Sequence, residues 1–415
     1  MSAGLGSVPA EQTYLDITQG NRVFDSLYDS DLPPLKSKRE CPGWWRSAVE
    51  RAESAPADIV PGLLASTLEA SGIGVRARTT GSGRAGAAGR GVRLRAGQGV
   101  GAQAACTLTS RGPRTATDAA SEGLSEGPHS LPGGGLEIRN TSPGELPTLV
   151  RSLQGQDLLV ALEEPPPDKG EALAIGVAGR GFEGDLTSGS TRLDGYVLAT
   201  DLGPTILRRF GLAEPDAMSG QPIRAAGPVD AAAVASLGDR LSVISKRRGP
   251  VIGFSLLAWA LALAAAAAGG RRAAESGTKV VGLSIVCLPL ALLVAAALEP
   301  SQGAEQALAI LAPPLLGFVL LGALGGYRAL AAASAATVVA YAIDVLAGSP
   351  LTSLSLLGPN PGLGVRFYGI GNELEALLSV LVIGGTGAAL SGFAPRLSAR
   401  ACATAFLAAG IFFAL

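Results

Sequence analysis

Between Gly364 and Gly385 the chain reads GVRFYGIGNELEALLSVLVIGG, so Arg366, Asn372, Glu373 and Glu375 stand directly against a long apolar run. These residue types can do two kinds of chemistry. A guanidinium holds an anion such as a phosphate, and a carboxylate can serve as general base. Asp344 and Tyr341 lie three residues apart in the preceding apolar run, hence on one helix face. A carboxylate within such a run is costly and faces a cavity or a partner. Asp344, Tyr341, Arg366, Asn372 and Glu373 therefore form a candidate site for a polar head group, with Arg366 on the anion. Glu373 and Glu375 lie about 200° apart around a helix, so one of them should line that site. A structural reading covers the same residues. Gly369 and Gly371 permit a tight turn, and Asn372 followed by Glu375 resembles a capping box. Glu373 complements the positive helix end, and Arg366 is free to pair with either Glu.

The elements that must position these residues are membrane helices. Of 415 residues, 47% are hydrophobic and 16% charged, and almost all charge disappears beyond Arg248. From Val251 the apolar runs reach the roughly 20 residues needed to cross a hydrocarbon core. Spans are expected at 250–268, 280–298, 306–324, 329–347 and 374–391, with a sixth from 401 that is still apolar at Leu415 and is read as continuing beyond it. Arg271, Arg272, Lys279, Arg328, Arg396 and Arg400 fall in alternate loops and mark a cytoplasmic side. The loops 299–305 and 348–372, and the polar N-terminal half, are then extracytoplasmic. Lys246, Arg247 and Arg248 disagree, since they abut the first span on the outer side. Pro289, Pro313 and Pro314 should kink their helices, either for packing or to line a polar cavity.

The N-terminal half reads as an α/β domain in two parts, 1–78 and 136–245. One amphipathic helix is expected over 56–74, with Leu63, Leu64, Leu68 and Ile73 near helical spacing. The runs 157–164, 172–179 and 196–200 have strand length and continuous apolar character, which suits strands covered on both faces. Pro204 suits the first position of a following helix and Gly211 its stop. Between them lies 79–135, rich in Gly, Ala and Arg with no hydrophobic period, which should be mobile. Trp44 and Trp45 suit either a membrane boundary or the core of this domain. Cys41 and Cys106 would pair if this half is exported, and no metal-type cysteine spacing occurs. A net charge of −1 provides no field for nucleic acid.

The stretch 173–223 resembles the closing part of the alkaline phosphatase superfamily, through Asp201, Pro204, Thr205, Leu207, Gly211, Leu212, Pro215, Met218 and Gly220. Those residues set a turn and a helix in that superfamily. The whole chain also resembles actinobacterial-type envelope proteins that join such a domain to a multi-span bundle bearing the loop Arg366 to Glu373. Residues 2–26 resemble the segment that follows the domain's first strand, which implies a natural start before Met1, with an export signal and a metal-binding Asp. The resemblance implies a partial alkaline-phosphatase-like sandwich followed by an all-α transmembrane bundle, 250–415. Active members hold two divalent metals through Asp and His. Here the one histidine, His129, lies in SEGPHSLPGGG, and Glu163 and Glu164 stand before Pro165, Pro166 and Pro167 where relatives carry Asp-His. Two Glu can hold Mg²⁺ or Mn²⁺, but adjacent strand residues face opposite ways.

The expectation is a multi-pass plasma-membrane protein of the cell envelope. Its N-terminal domain would be extracytoplasmic, phosphatase-like and non-catalytic, with no cofactor. Its partners would be the lipid bilayer and a lipid-linked precursor or envelope proteins. Two alternatives stay open. One is a membrane-bound hydrolase or transferase acting on phosphorylated or lipid-linked precursors, with divalent metal if the ectodomain is active; the other is a transporter.

Overall fold

The computed structural model describes residues 1–5, 8–34, 41–78, 89–93, 134–164, 172–393 and 397–414. His129, Cys106 and with it the Cys41–Cys106 pairing, the Pro165–Pro167 turn, Arg396 and most of 79–135 lie outside these residues. The chain divides into two compact units, Met1–Leu237 and Gly238–Leu415.

The first unit is a small sheet with helices. Its strands are β1 (Val75–Arg78), β2 (Gly89–Arg93), β3 (Leu136–Asn140), β4 (Leu158–Glu163) and β5 (Ile175–Gly179), in the order β1-β3-β2-β4-β5. Three successive β4 residues, Leu158, Leu159 and Val160, are buried. Alternate side chains point to opposite faces, so both faces of this strand are covered. Among the described strands of this sheet β1 and β3 pair in parallel, and the other neighbours run antiparallel. This is a mixed sheet, unlike the parallel pattern that continuous apolar runs suggest. β2 arises within the segment expected to lack regular structure and pairs with β3 and β4 through its backbone. A further antiparallel pair joins β6 (Asp185–Thr187) and β7 (Arg224–Ala226).

Helices α1 (Ala10–Gln19), α2 (Cys41–Glu53), α3 (Leu63–Ala70), α4 (Leu146–Arg151) and α5 (Leu202–Arg209) complete the unit. Tyr14 and Ile17 of α1, Leu64 of α3 and Leu202 of α5 meet Leu136 and Val160 of the sheet. The helix expected over 56–74 is confined to α3. Pro61 and the left-handed Gly62 (φ 75°) bring the chain in through a turn instead, since that conformation is open to glycine. Residues 196–200 are not a strand. Val197 and Ala199 pair with Ser2 alone, and the chain then winds into a 3-10 turn, Ala199–Asp201. Pro204 consequently falls at the third position of α5, still within the first turn, where a missing N–H is tolerated. Trp44 is buried in the unit with Leu15, Leu32 and Ala48, its indole N–H donating to Pro33 O at 2.7 Å.

The second unit is helical: α6 (Ala231–Ala268, entering from the first unit), α7 (Arg271–Leu298), α8 (Gln302–Leu324), α9 (Gly326–Leu346), α10 (Asn372–Phe393) and α11 (Ala399–Ala414). Among the described residues five of these, α6 to α10, are long and apolar enough to cross a membrane. The expected sixth span, α11, has 16 residues, about 24 Å at helical rise against a core of about 30 Å. Phe254, Leu261, Leu315, Phe318, Ile343 and Ile383 are exposed. An apolar surface of that extent suits a lipid environment.

Between such helices, association depends on close fit and on hydrogen bonds across the contact. A β-carbon on Gly385 of α10 would lie 2.6 Å from Ser334 Cβ of α9, and one on Gly317 of α8 would lie 3.0 Å from Leu283 Cβ of α7. The prolines stay inside continuous helices, Pro289 in α7 and Pro313 and Pro314 in α8. Proline disturbs the carbonyls of its preceding turn. Beside Pro289, α9 bonds the α7 backbone through side chains: Thr337 Oγ1 donates to Val286 O at 3.1 Å and Tyr341 Oη to Pro289 O at 3.0 Å.

Gly385→Ala should therefore lower the thermal midpoint of the detergent-purified protein, the overpacking costing about 1–3 kcal/mol. Gly384→Ala, with open space around the new methyl, should leave the midpoint unchanged or raise it.

Candidate functional site

The α9–α10 connection, 347–371, is an ordered and largely buried loop. Thr352, Ser353 and Ser355 have no exposed surface. Two non-glycine residues adopt left-handed backbone, Ser349 (φ 67°) and Asn360 (φ 58°). Asp344, at the end of α9, organises the first half. Its two carboxylate oxygens accept from Leu351 N at 3.0 Å and Thr352 N at 2.7 Å. Ser349 Oγ then accepts from Gly369 N at 3.0 Å, and Ser353 Oγ donates to Phe367 O at 2.8 Å. The two strands of the loop are thereby laced together.

The five residues expected to share one site are divided by this arrangement. Asp344 and Tyr341 are buried and engaged, the first with loop amides and the second with α7. Arg366, Asn372 and Glu373 are exposed at the loop surface and the start of α10. Arg366 donates to Ile370 O within its own turn, and among the described residues it forms no ion pair with Glu373 or Glu375. The tight turn offers a carbonyl four residues on, closer to hand than either carboxylate. The capping box is also displaced. Helix α10 opens at Asn372 itself and its first turn closes by Glu375 N donating to Gly371 O at 2.8 Å, so the backbone of Gly371 occupies the place expected for the Asn372 side chain.

What the sequence reading missed lies on α6. Arg240, Ile244, Arg247 and Val251 follow 3–4 spacing, so they form one stripe. Arg240 and Glu305, the latter in the first turn of α8, are buried, and Glu305 has no exposure. Glu305 accepts from Arg240 Nη2 at 2.9 Å and from Arg247 Nη1 at 3.1 Å. Arg240 Nε also donates to Leu354 O at 3.0 Å, Arg247 Nη1 to Pro300 O at 3.2 Å, and Arg248 Nη2 to Gly358 O. Of the three basic residues that disturb the charge count around the first span, Arg247 and Arg248 are therefore engaged within this end of the unit, while Lys246 is exposed. The signal that finds them is a pair of arginines seven apart on a stripe shared with Ile244 and Val251.

In the first unit, the motif residues of 201–220 form a joint. Asp201 is fully buried and accepts four hydrogen bonds: Ser188 Oγ and Leu198 N on Oδ2, at 2.6 and 2.9 Å, and Ser190 Oγ and Gln221 N on Oδ1, at 2.6 and 2.9 Å. Thr205 Oγ1 donates to Asp201 O and accepts from Ile223 N at 2.8 Å. A β-carbon on Gly220 would sit 2.1 Å from Thr200 O, and Met218 packs against Gly20 at the end of α1. Gly211, at φ 69°, ends α5. Each residue thus holds backbone. Glu163 Oε2 accepts from Ala174 N at 2.9 Å, tying the end of β4 to the chain entering β5. Among the described residues no group of three or more His, Cys, Asp or Glu is placed to hold a metal ion.

The same unit buries a second acidic centre that the sequence did not mark. All of α1 is buried, and its Asp16 Oδ1 accepts from Gln12 Nε2 at 2.7 Å and Gln19 Nε2 at 3.0 Å. Arg51 of α2 donates to Gln12 Oε1 at 2.7 Å, pairs with Asp25 and stacks on the Tyr28 ring 3.5 Å from its centroid. Burial pushes the Asp16 carboxyl up to about 7, against the pull of the Gln12 hydrogen bond and of Arg22 and Arg51.

In comparisons with protein-family models, curated proteins and solved structures, nothing matches this chain. The class rests on the helices: by length and composition the second unit is that of a multi-pass membrane protein.

Two outcomes follow from the buried carboxylates. Glu305→Gln leaves Arg240 and Arg247 without a counter-charge and should cost about 3–5 kcal/mol, read as a lower thermal midpoint in detergent and reduced accumulation in membranes. Asp16 stays protonated in the fold while the unfolded chain ionises. Stability of the first unit should therefore fall as pH rises from about 4 to 7, by up to about 1.4 kcal/mol per pH unit. Denaturant titration of the full chain, followed by the fluorescence to which Trp44 and Trp45 contribute, should show this slope. Asp16→Asn should flatten it.

Proposed function

We propose that the chain is a multi-pass protein of a cell-envelope membrane. Its first unit stands outside the cytoplasm as a non-catalytic binding or assembly module, and the 348–373 end of its bundle receives the polar head group of a lipid-linked precursor. The observation that carries this reading is the loop between α9 and α10. A bundle needs only a short connection there, yet this one spends Asp344, Ser349 and Ser353 on fixing its backbone. Arg366, Asn372 and Glu373 are left exposed on that rigid support. A guanidinium for an anionic group and a carboxylate for hydroxyls are the groups such a head group needs.

The orientation is supported by Arg271, Arg272, Lys279, Arg328 and Arg400 in the N-terminal parts of α7, α9 and α11, which alternate connections place on one side, and by Arg247 and Arg248 being engaged with Glu305 and loop carbonyls, with Lys246 the exposed charge that opposes it. The likeness of 173–223 to the alkaline phosphatase superfamily supports an ectodomain of that ancestry. In it Asp201, Thr205 and Gly220 serve as joints, and Glu163 holds backbone. A hydrolase or transferase is the second reading, favoured by the exposed Glu373 as a base. Two divalent ions bound per purified full chain would select the hydrolase.

Arg366→Gln and Glu373→Gln, introduced singly into the intact gene, should accumulate in membranes at the wild-type level and fail to complement a deletion. Full complementation by both variants would sink the head-group site.

A further inference from the structure

We propose that Arg240 and Arg248 of α6, with Thr352 and Asn360 of the α9–α10 loop, form a binding site for a phosphomonoester group. The proposal rests on the reading of this end as a head-group site and names both the chemistry recognised and the residues that recognise it.

Three guanidiniums, from Arg240, Arg247 and Arg248, lie at this end, and Glu305 is bonded to two of them, Arg240 and Arg247. Asp344 is committed to the amides of Leu351 and Thr352. The corner therefore carries an excess of positive charge. Its hydrogen bonding is also incomplete. Arg240 is 4% exposed, and while its Nε and Nη2 are bonded, its Nη1 is buried without a partner. Arg248 donates through Nη2 to Gly358 O, and its Nε is buried without a partner. Thr352 Oγ1, at no exposure, and Asn360 Oδ1 are in the same condition. Buried polar groups are paired as a rule, and a cluster of exceptions calls for a ligand or water.

The four residues all lie where the α9–α10 loop meets α6, with Arg240 Nε on Leu354 O and Arg248 Nη2 on Gly358 O. Gly358 accepts Arg248 on its carbonyl, donates to Ser355 O at 2.9 Å, and abuts the Thr352 carbonyl so closely that a β-carbon would lie 1.8 Å from it. A β-carbon on Gly362 would lie 2.6 Å from Leu241 O, next in sequence to Arg240, and 3.7 Å from Asn360 Oδ1. These glycines let the loop lie directly on the arginine stripe of α6. The vacant capacity consists of two guanidinium nitrogens carrying three N–H groups, one hydroxyl and one carbonyl-type acceptor. A simple halide would answer the cations and leave Asn360 Oδ1 unmet. A phosphomonoester answers both, with several acceptor oxygens for the N–H and O–H donors and a P–OH, or the adjacent hydroxyl of its alcohol, to donate to Asn360. The group could belong to a lipid head group or to a soluble phosphate.

The test uses the full chain. In detergent, its thermal midpoint is followed against inorganic phosphate, with potassium chloride at matched ionic strength as control. In nanodiscs, phosphatidylcholine alone is compared with phosphatidylcholine containing phosphatidic acid. The midpoint should rise in at least one arm, and the apparent affinity should weaken by about tenfold in Arg248→Gln and in Thr352→Val, the loss of one charged or neutral hydrogen bond to the ligand. Arg271→Gln, at an exposed helix start, should bind as wild type. A rise with free phosphate identifies a soluble ester, and a rise with phosphatidic acid alone identifies a lipid; either supports the site. No rise in either arm means water alone fills the corner and overturns it. So does an equal rise with chloride, or unchanged affinity in both variants. Should Arg248→Gln fail to accumulate, Thr352→Val decides. Failed complementation by Arg366→Gln and Glu373→Gln without phosphate affinity would overturn this inference alone. Normal complementation with intact phosphate affinity would overturn the head-group reading and leave a phosphate site.

Discussion

A carboxylate with no contact to water has to be met by charge or by directed donors, because the cost of stripping its hydration is several kcal/mol. Glu305 is such a group, and much of the membrane unit's end is arranged around it. Arg240 and Arg247 answer its two oxygens, and that requirement brings α6 against the start of α8. Arg240 Nε and Arg247 Nη1 also reach Leu354 and Pro300, and the adjacent Arg248 reaches Gly358. One buried anion in the first turn of a helix thus fixes two helices and the long loop together. Asp344 does the same on a smaller scale, converting the end of α9 into the anchor of the loop's backbone.

The apolar interior obeys a related rule. With lipid outside, burying more hydrocarbon between helices gains little, so fit and hydrogen bonds decide the packing. Gly385 against Ser334 and Gly317 against Leu283 let backbones approach. Beside Pro289, Thr337 and Tyr341 of α9 donate to the α7 backbone. Thr337, Tyr341 and Asp344 lie on one face of α9, so the face that bonds its neighbour's backbone ends in the carboxylate that orders the loop. The first unit uses the same method: Asp201 gathers four donors from three segments and welds the turn before α5 to the chain after it.

Much of this was legible in the residues. Long runs without charge announce lipid-facing helices because their length must match a hydrocarbon core, and five helices fall where those runs do. The start of α10 and the α5 turn were also readable, since Pro, Gly and short polar side chains act on their own local backbone. Single placements failed where local signals competed. Asn372 is as good a cap by composition as any, yet the Gly371 carbonyl closes the turn. Residues 196–200 have strand character, yet they meet only single-residue bridges, Leu198 with Ser2 and Tyr196 with Leu193, among the described residues. Arg366 has two acidic candidates nearby in sequence and bonds a carbonyl of its own turn.

Arg240 and Glu305 stand 65 positions apart, and no periodicity or spacing connects them. Sequence alone determined the division into a polar half and an apolar half, because solvent preference is a property of each segment's own composition. Which polar residues of the apolar half are buried together, and which face outward, was decided by tertiary structure. That choice depends on the distance between charges after the helices have packed, and only the folded chain sets that distance.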